Sequence, residues 1–218
     1  MNEPLVVAVE VNLVHTCAMS MATPDDNFRD RLRVQLIAVA REVLTSQGLG
    51  ALQARRIARD AQCSVGTLYN IFGDIDGLIL AANQLTLADL GQALEEAARG
   101  AANRDLKARL MVLANAYLAF AIAHPKAWRA VFEHRLPDGA ELPAFYAEDR
   151  RRLLALIEAE LAASMPDADA RLIAAHALFS AVHGIVQLSL DEMLGGFNAA
   201  QCERQIRFII EPFARGLT

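Results

Sequence analysis

Ser64, Gly66, Thr67, Tyr69 and Asn70 lie within one short stretch, "SVGTLYN", and together carry side chains suited to reading a nucleic acid. An asparagine amide can pair bidentately with adenine, and a threonine can meet a thymine methyl or a phosphate. A tyrosine hydroxyl reaches backbone oxygens, which positions a protein without reading sequence. Gly66 removes a side chain where a helix N-terminus would come up to a phosphate. Ser64 is of the type that caps such a helix. Arg55 and Arg59 are four apart, so on a helix they share a face. The plain alternative is a helical corner with a solvated polar side, since this geometry recurs in proteins that bind no DNA. The residues alone leave both readings open.

A second polar set is less easily placed. Between Leu172 and Leu190 the chain is apolar nearly all round, yet His176, Ser180, His183 and Gln187 recur at spacings of four, three and four. On a helix they form one stripe, and buried polar groups need partners. Neighbouring helices, a dimer mate or a ligand could supply them. Tyr117, Phe120, Trp128, Phe132, Phe145 and Tyr146 are candidates to wall a cavity between central helices, or to be ordinary core. A shared metal ion is disfavoured, because His176 and His183 would stand roughly 10 Å apart along the axis. No GxSxG, HExxH, P-loop or GxGxxG occurs, so no catalytic residue, metal or cofactor is expected.

The elements that must position these residues are helical. Phe28, Leu32, Leu36, Val39, Ala40, Val43 and Leu44 repeat at three and four, predicting an amphipathic helix that stops at Gly48. Short helices follow at about 53–61 and 65–72, hinged at Gln62-Cys63-Ser64. Asp74 should cap a fourth, running to about Gly91. Further helices are expected at roughly 103–123, 125–135, 141–164, 168–193 and 199–215, separated by turn-forming stretches. The fold class is all-α, with about nine helices. Three units are expected: an N-terminal extension over 1–23, a helix-turn-helix unit over 24–73 and a helical ligand-binding and dimerisation unit over 74–218.

The composition agrees. The 218 residues are 54% hydrophobic and 22% charged, enough for a packed core. The net charge of −5 does not advertise a polyanion binder, but from Pro24 to Gly77 seven arginines balance seven acids. Several of those acids sit at helix starts, which leaves the arginines free to face phosphates. Cys17, Cys63 and Cys202 are far apart, which fits a reducing, cytoplasmic setting and buried small side chains rather than disulfides or zinc. The apolar run Leu110–Ala123 is shorter than the roughly 20 residues a membrane span needs. The first 22 residues hold Glu3 and Glu10 and no basic segment, so they fail as a signal peptide. They are expected to be an accessory tail or a start assigned too early, with the working chain beginning near Met21.

The run from Phe28 to Leu80, above all "LQARRIARDAQCSVGTLYNIFGDIDGLI", resembles the N-terminal DNA-binding domain of the TetR family of bacterial transcriptional regulators. "HPKAWRAVFEH" and "FSAVHGIVQLSLDE" resemble the C-terminal domain of its WHG subgroup, with Val182 in place of the Trp. The resemblance implies an all-α homodimer that binds a double-stranded, pseudo-palindromic DNA operator and a small-molecule effector. Carried over by position, the DNA-contacting set is Arg55, Ser64, Val65, Gly66, Thr67, Tyr69 and Asn70. The effector set expected from the polar stripe and the central aromatics is Tyr117, Phe120, Trp128, Phe132, Tyr146, His176, Ser180, His183 and Gln187. The implied function is a repressor released by an apolar or aromatic effector; the alternative is a ligand-binding module that has lost DNA binding. One departure bears on this: Ile75 stands where the family carries a lysine, flanked by Asp74 and Asp76. Dimerisation is expected through the last two helices, from Leu178, Val182, Ile185 and Leu188 with Ile206, Ile209, Ile210 and Phe213.

Overall fold

A computed structural model describes residues 24–191 and 198–217; the expectations for 1–23 and Cys17 lie outside the described residues. The chain runs α1 (Pro24–Ser46), a 3₁₀ turn (Leu49–Ala51), α2 (Ala54–Asp60), α3 (Val65–Phe72), α4 (Ile75–Ala101), α5 (Leu106–Ala123), α6 (Pro125–Glu133), α7 (Ala144–Leu161), α8 (Ala168–Leu190) and α9 (Ala199–Arg215). No strand occurs among the described residues. The all-α expectation holds.

Local chemistry sets most boundaries. The carboxylates of Asp74, Asp105 and Asp167 each accept the backbone N–H three residues on, at 2.7 Å, so α4, α5 and α8 start where an acceptor meets an orphan donor. Pro125 opens α6 at a position where its missing N–H costs nothing. The fourth helix corrects the sequence reading: it continues through Gly91 to Ala101. A glycine inside a helix costs only about 1 kcal/mol. Leu90 and Leu94, both buried on either side of it, hold the helix to the core.

Two larger apolar cores result among the described residues, with a small cluster of Leu80, Leu87, Val131 and Tyr146 beside them. In the smaller of the two cores, Leu36, Leu44, Ile57, Leu68 and Leu78 are fully buried and lock α1–α3 onto the start of α4. In the larger, α4, α5 and α6 pack with α7–α9 around Leu90, Tyr117, Trp128, Val186, Ile206 and Ile210. Helix α4 serves both cores, and Ala130 of α6 reaches into the smaller one. Asn83 of α4 donates to the Ala130 carbonyl at 2.9 Å, and Arg41 of α1 pairs with Asp89 of α4. By length and composition α5 and α8 could each cross a membrane, which corrects the expectation drawn from Leu110–Ala123 alone. Half of α5 is instead buried among its neighbours.

Gly77 is fixed by a close approach. A Cβ built there would stand 2.3 Å from the Phe72 carbonyl oxygen, well inside contact distance. Gly77→Ala is therefore expected to force α3 and α4 apart and to destabilise the protein by about 1–3 kcal/mol, the usual cost of overpacking. A denaturant titration checks this; an unchanged midpoint would mean the corner is slack.

Candidate nucleic-acid interface and ligand cavity

The corner between α2 and α3 is built by backbone geometry. Gln62 takes φ +56°, its N–H bonds the Arg59 carbonyl, and the Cys63 N–H bonds the Ala58 carbonyl at 2.8 Å. This αL ending closes α2 within two residues. The Ser64 hydroxyl then accepts the Thr67 N–H at 3.0 Å and lies 2.9 Å from the Thr67 hydroxyl. Leu68 faces inward with no exposed surface, which forces Gly66, Tyr69 and Asn70 outward. Tyr69 is 42% exposed despite its large ring. Arg55 is also exposed, Thr67 half-buried, and Val65 half-buried against the small core. The predicted set thus comes together at one corner, with Val65 turned toward the core.

The arginines correct the sequence reading. Arg29 and Arg33 of α1 donate to the Asn70 and Ile71 carbonyls, at the C-terminal end of α3. The Arg33 guanidinium also sits 4.8 Å from the Phe72 ring centroid. Cations there complement the helix dipole, so these two residues fix the tilt of α3. Arg41 and Arg56 pair with Asp89 and Asp60, Arg59 with Asp60, and Arg31 donates to its own helix. Of the seven, Arg55 has neither hydrogen bond nor ion pair among the described residues. Near the Ile75 departure, Asp74 is used as a cap and Asp76 lies 3.4 Å from His134. Ile75 is half-buried against the small core.

In the body, Tyr117 stands at the centre of an aromatic cluster, with Trp128, Phe132, Phe179 and His183 at centroid distances of 6.0 to 6.5 Å. The Trp128 Nε1–H can only donate, and it lies 3.0 Å from the Tyr117 hydroxyl. The Tyr117 hydroxyl also lies 2.7 Å from His183 Nδ1, to which it donates when the imidazole carries its hydrogen on Nε2. Burial, together with the Arg150 charge, lowers the His183 pKa from 6.5. A depressed folded pKa means the unfolded chain takes the proton first. The stabilisation is complete above about pH 6.5 and is lost as pH falls through the lowered value. The melting temperature is expected to drop between pH 7.5 and 5.5, and to drop less in His183→Phe. Equal slopes in the two proteins would assign the effect to other groups.

Beneath Tyr117 lies a void of about 50 Å³, walled by Leu90 and Leu94 of α4, Leu113 of α5, Leu156 and Ile157 of α7, and Phe179 and Val182 of α8. Of the expected effector set, Tyr117 lines it, and Trp128, Phe132 and His183 stand behind. Phe120 is buried but meets the His124 ring in a tilted contact, 4.8 Å between centroids. Phe145 is exposed, and Tyr146 lines a different cavity. The polar stripe of α8 divides. His176 and Ser180 are exposed because no helix of the protomer covers that part of the face, and Gln187 donates to Asp191 at 2.6 Å. Sequence reasoning missed Phe179, four residues before His183 and hence on its face, and missed the leucines of α4 and α7. Cys202 is fully buried, and burial raises the pKa of half-buried Cys63, so both behave as small apolar side chains.

The outward surface of α8 and α9 also differs from expectation. Leu178, Val182, Ile206 and Ile210 belong to the protomer's own core. Leu172 and Ile173 are exposed toward the start of α8, while Leu188, Phe208 and Ile209, with Phe208 78% exposed, flank a groove that Ile185 also lines.

Comparison with known proteins accords with this architecture. Residues 36–82 match the family described as bacterial regulatory proteins, tetR family, and residues 110–212 match a tetracyclin repressor-like C-terminal domain. The HTH-type transcriptional regulator BetI of Burkholderia ambifaria is 31% identical over 151 residues, covering 68% of this chain and 77% of its own. BetI of Paraburkholderia phytofirmans is 32% identical over 154 residues, covering 68% and 76%. Among solved structures, a Rhodococcus sp. RHA1 protein of unknown function superposes with a TM-score of 0.66 at 27% identity, over 85% of this chain and 94% of that one. FadR from Bacillus subtilis, solved in complex with stearoyl-CoA, shares the fold with a TM-score of 0.63 at 14% identity, over 81% and 96%. The chain belongs to the TetR family of bacterial transcriptional regulators, DNA-binding proteins and not enzymes.

Proposed function

We propose that this cytoplasmic protein is a homodimeric repressor that binds a pseudo-palindromic operator and is released by a small apolar or aromatic effector. The observation that carries the DNA half is the outward face of α3: Gly66, Tyr69 and Asn70 stand in solvent while Leu68 anchors the helix and Ser64 caps it. A recognition helix docks in this way, with its N-terminal residues at base edges and its amide groups toward phosphate. Thr67, Tyr69 and Asn70 read the groove in this proposal, and Arg55 meets the backbone.

The effector half rests on α4. Its first turns hold the small core through Leu78, Ile79 and Ala82, and its later turns, Leu90 and Leu94, wall the void under Tyr117. That void, about 50 Å³, is far below the roughly 300–1,000 Å³ of drug-sized sites. An effector entering there must part α4 from α5, α7 and α8, and the displaced α4 carries the reading head with it. The effector then binds the conformer whose heads are misplaced for DNA, and operator affinity falls by its differential binding to the two states.

The test is a gel shift of purified protein against its own upstream DNA, followed by footprinting. A protected inverted repeat supports the reading. Absence of binding there and in selection from random DNA at low salt overturns it. The alternative, a ligand-binding module without DNA binding, draws on the engagement of six of the seven arginines around the corner. Phosphate contacts supply most non-specific affinity, so a DNA affinity that falls steeply with salt argues against that module.

A further inference from the structure

We propose that the cavity between α4, α6, α7 and the segment joining the last two is a second ligand site, taking a small monocarboxylate with an apolar body. It encloses about 250 Å³ and shares no lining residue with the void under Tyr117. Leu80 of α4 with Val131 and Phe132 of α6 form its apolar walls, and Tyr146, His134, Arg135 and Arg150 supply its polar groups.

Three features point to an anion. Tyr146 is only 2% exposed, and neither its hydroxyl nor the neighbouring Asn83 Oδ1 completes a hydrogen bond of ordinary geometry, although Asn83 lies close enough to act on the Tyr146 hydroxyl. Folded proteins rarely leave a buried hydroxyl unsatisfied. Arg150 has no ion pair or hydrogen bond among the described residues, while its neighbours Arg151 and Arg152 both pair with Glu148. Its charge is felt at the Tyr146 hydroxyl and at His183. The lining contains no aspartate or glutamate, and Asp149, next to Arg150 in sequence, is engaged by Gln84 and Arg152. A carboxylate accepting from Tyr146 and Arg150 satisfies both donors, and bonds to an ionised acceptor are the stronger kind. Arg135, held through Phe132 by a 2.8 Å bond from its Nη1, keeps its remaining donors at the rim.

The placement gives occupancy a route to the reading head. His134 lines the cavity and lies 3.4 Å from Asp76 in the first turn of α4. Phe132 contacts Trp128 and His183, at 5.3 and 4.5 Å between centroids. This consequence rests on the regulator reading; binding itself does not.

Trp128 is the single tryptophan and touches Phe132, which lines the cavity, so its fluorescence reports occupancy through that ring. Benzoate and hexanoate are titrated beside benzamide and hexanamide, their neutral counterparts of similar shape. At least one acid is expected to give a saturable change and to bind about tenfold or more tighter than its amide. Arg150→Met should weaken that acid about tenfold and leave the amide unchanged, and Tyr146→Phe, which keeps the ring, should also weaken the acid. Arg151→Met on the same helix serves as control and should bind as wild type. Acids and amides binding alike, no saturation by either acid up to millimolar concentrations, or wild-type acid binding by Arg150→Met each overturn the proposal. A gel shift run in parallel separates the two readings: failure of the wild type to bind any DNA counts against the regulator and leaves the titration to judge the site.

Discussion

Replacing Tyr69 and Asn70 together by alanine is expected to lower operator affinity about a hundredfold or more while leaving the fold intact. A bidentate asparagine–adenine pair is worth about 1–3 kcal/mol of discrimination, and a hydrogen bond from a tyrosine about 1 kcal/mol. Each 1.4 kcal/mol is tenfold in affinity, and the two losses are repeated in both heads of a dimer. Stability should hardly change, since both side chains point outward and substitutions on such surfaces fall within about 0.5 kcal/mol. Binding isotherms and thermal melts measured side by side check both halves of the statement. Wild-type affinity in the double variant would move the reading surface away from α3. A collapsed melting temperature would instead mean that these residues hold the corner together.

The second large effect is expected at the outer face of α8 and α9. Phe208, 78% exposed, stands beside Ile209 and Leu188 at 38% and 44%. A contiguous apolar patch of this kind marks an interaction surface. Pairing the two helices with their copies across a two-fold axis would close a four-helix bundle. Phe208→Glu places two like charges near that axis without touching the protomer's core. Light scattering is expected to give about twice the 23.7 kDa chain mass for the wild type and the chain mass for the variant. Operator affinity should fall when dimerisation is lost, because two linked heads gain an effective concentration that one head lacks. A variant that stays dimeric would place the interface elsewhere.

Much of this protein was legible in the residues themselves. Periodicity located the helices and Asp74 marked the start of α4 because such signals are local; Asp105 and Asp167, which the sequence reading did not single out, cap α5 and α8 within one turn in the same way. The boundaries of α3 follow from Ser64 and Gly73 in the same way, and the Gly73 φ of +84° ends the helix. The outward side of α3 was equally plain, since burying Leu68 leaves Gly66, Tyr69 and Asn70 no other direction. The length of α4 was misjudged at Gly91, where a local helix penalty gave way to the burial of Leu90 and Leu94.

Tertiary structure decided what depends on which chemical partner arrives from elsewhere in the chain. Seven arginines read as free cations, yet Arg29 and Arg33 bond carbonyls 41 and 38 residues away, and Arg41 pairs with an aspartate 48 away. No periodicity encodes such pairs. The stripe on α8 had the correct spacing, but whether each polar group is covered depends on the helices crossing it. His183 meets Tyr117 and Trp128 across α5 and α6, while His176 and Ser180 meet solvent. The same holds for the apolar residues of α8 and α9, which divide between the protomer's core and its exposed face. Sequence alone determined which helices form and which side of α3 is polar, because those choices are made within a few residues. Only packing decided which buried polar groups lack a partner and which arginines stay unpaired among the described residues, because those depend on contacts between distant segments.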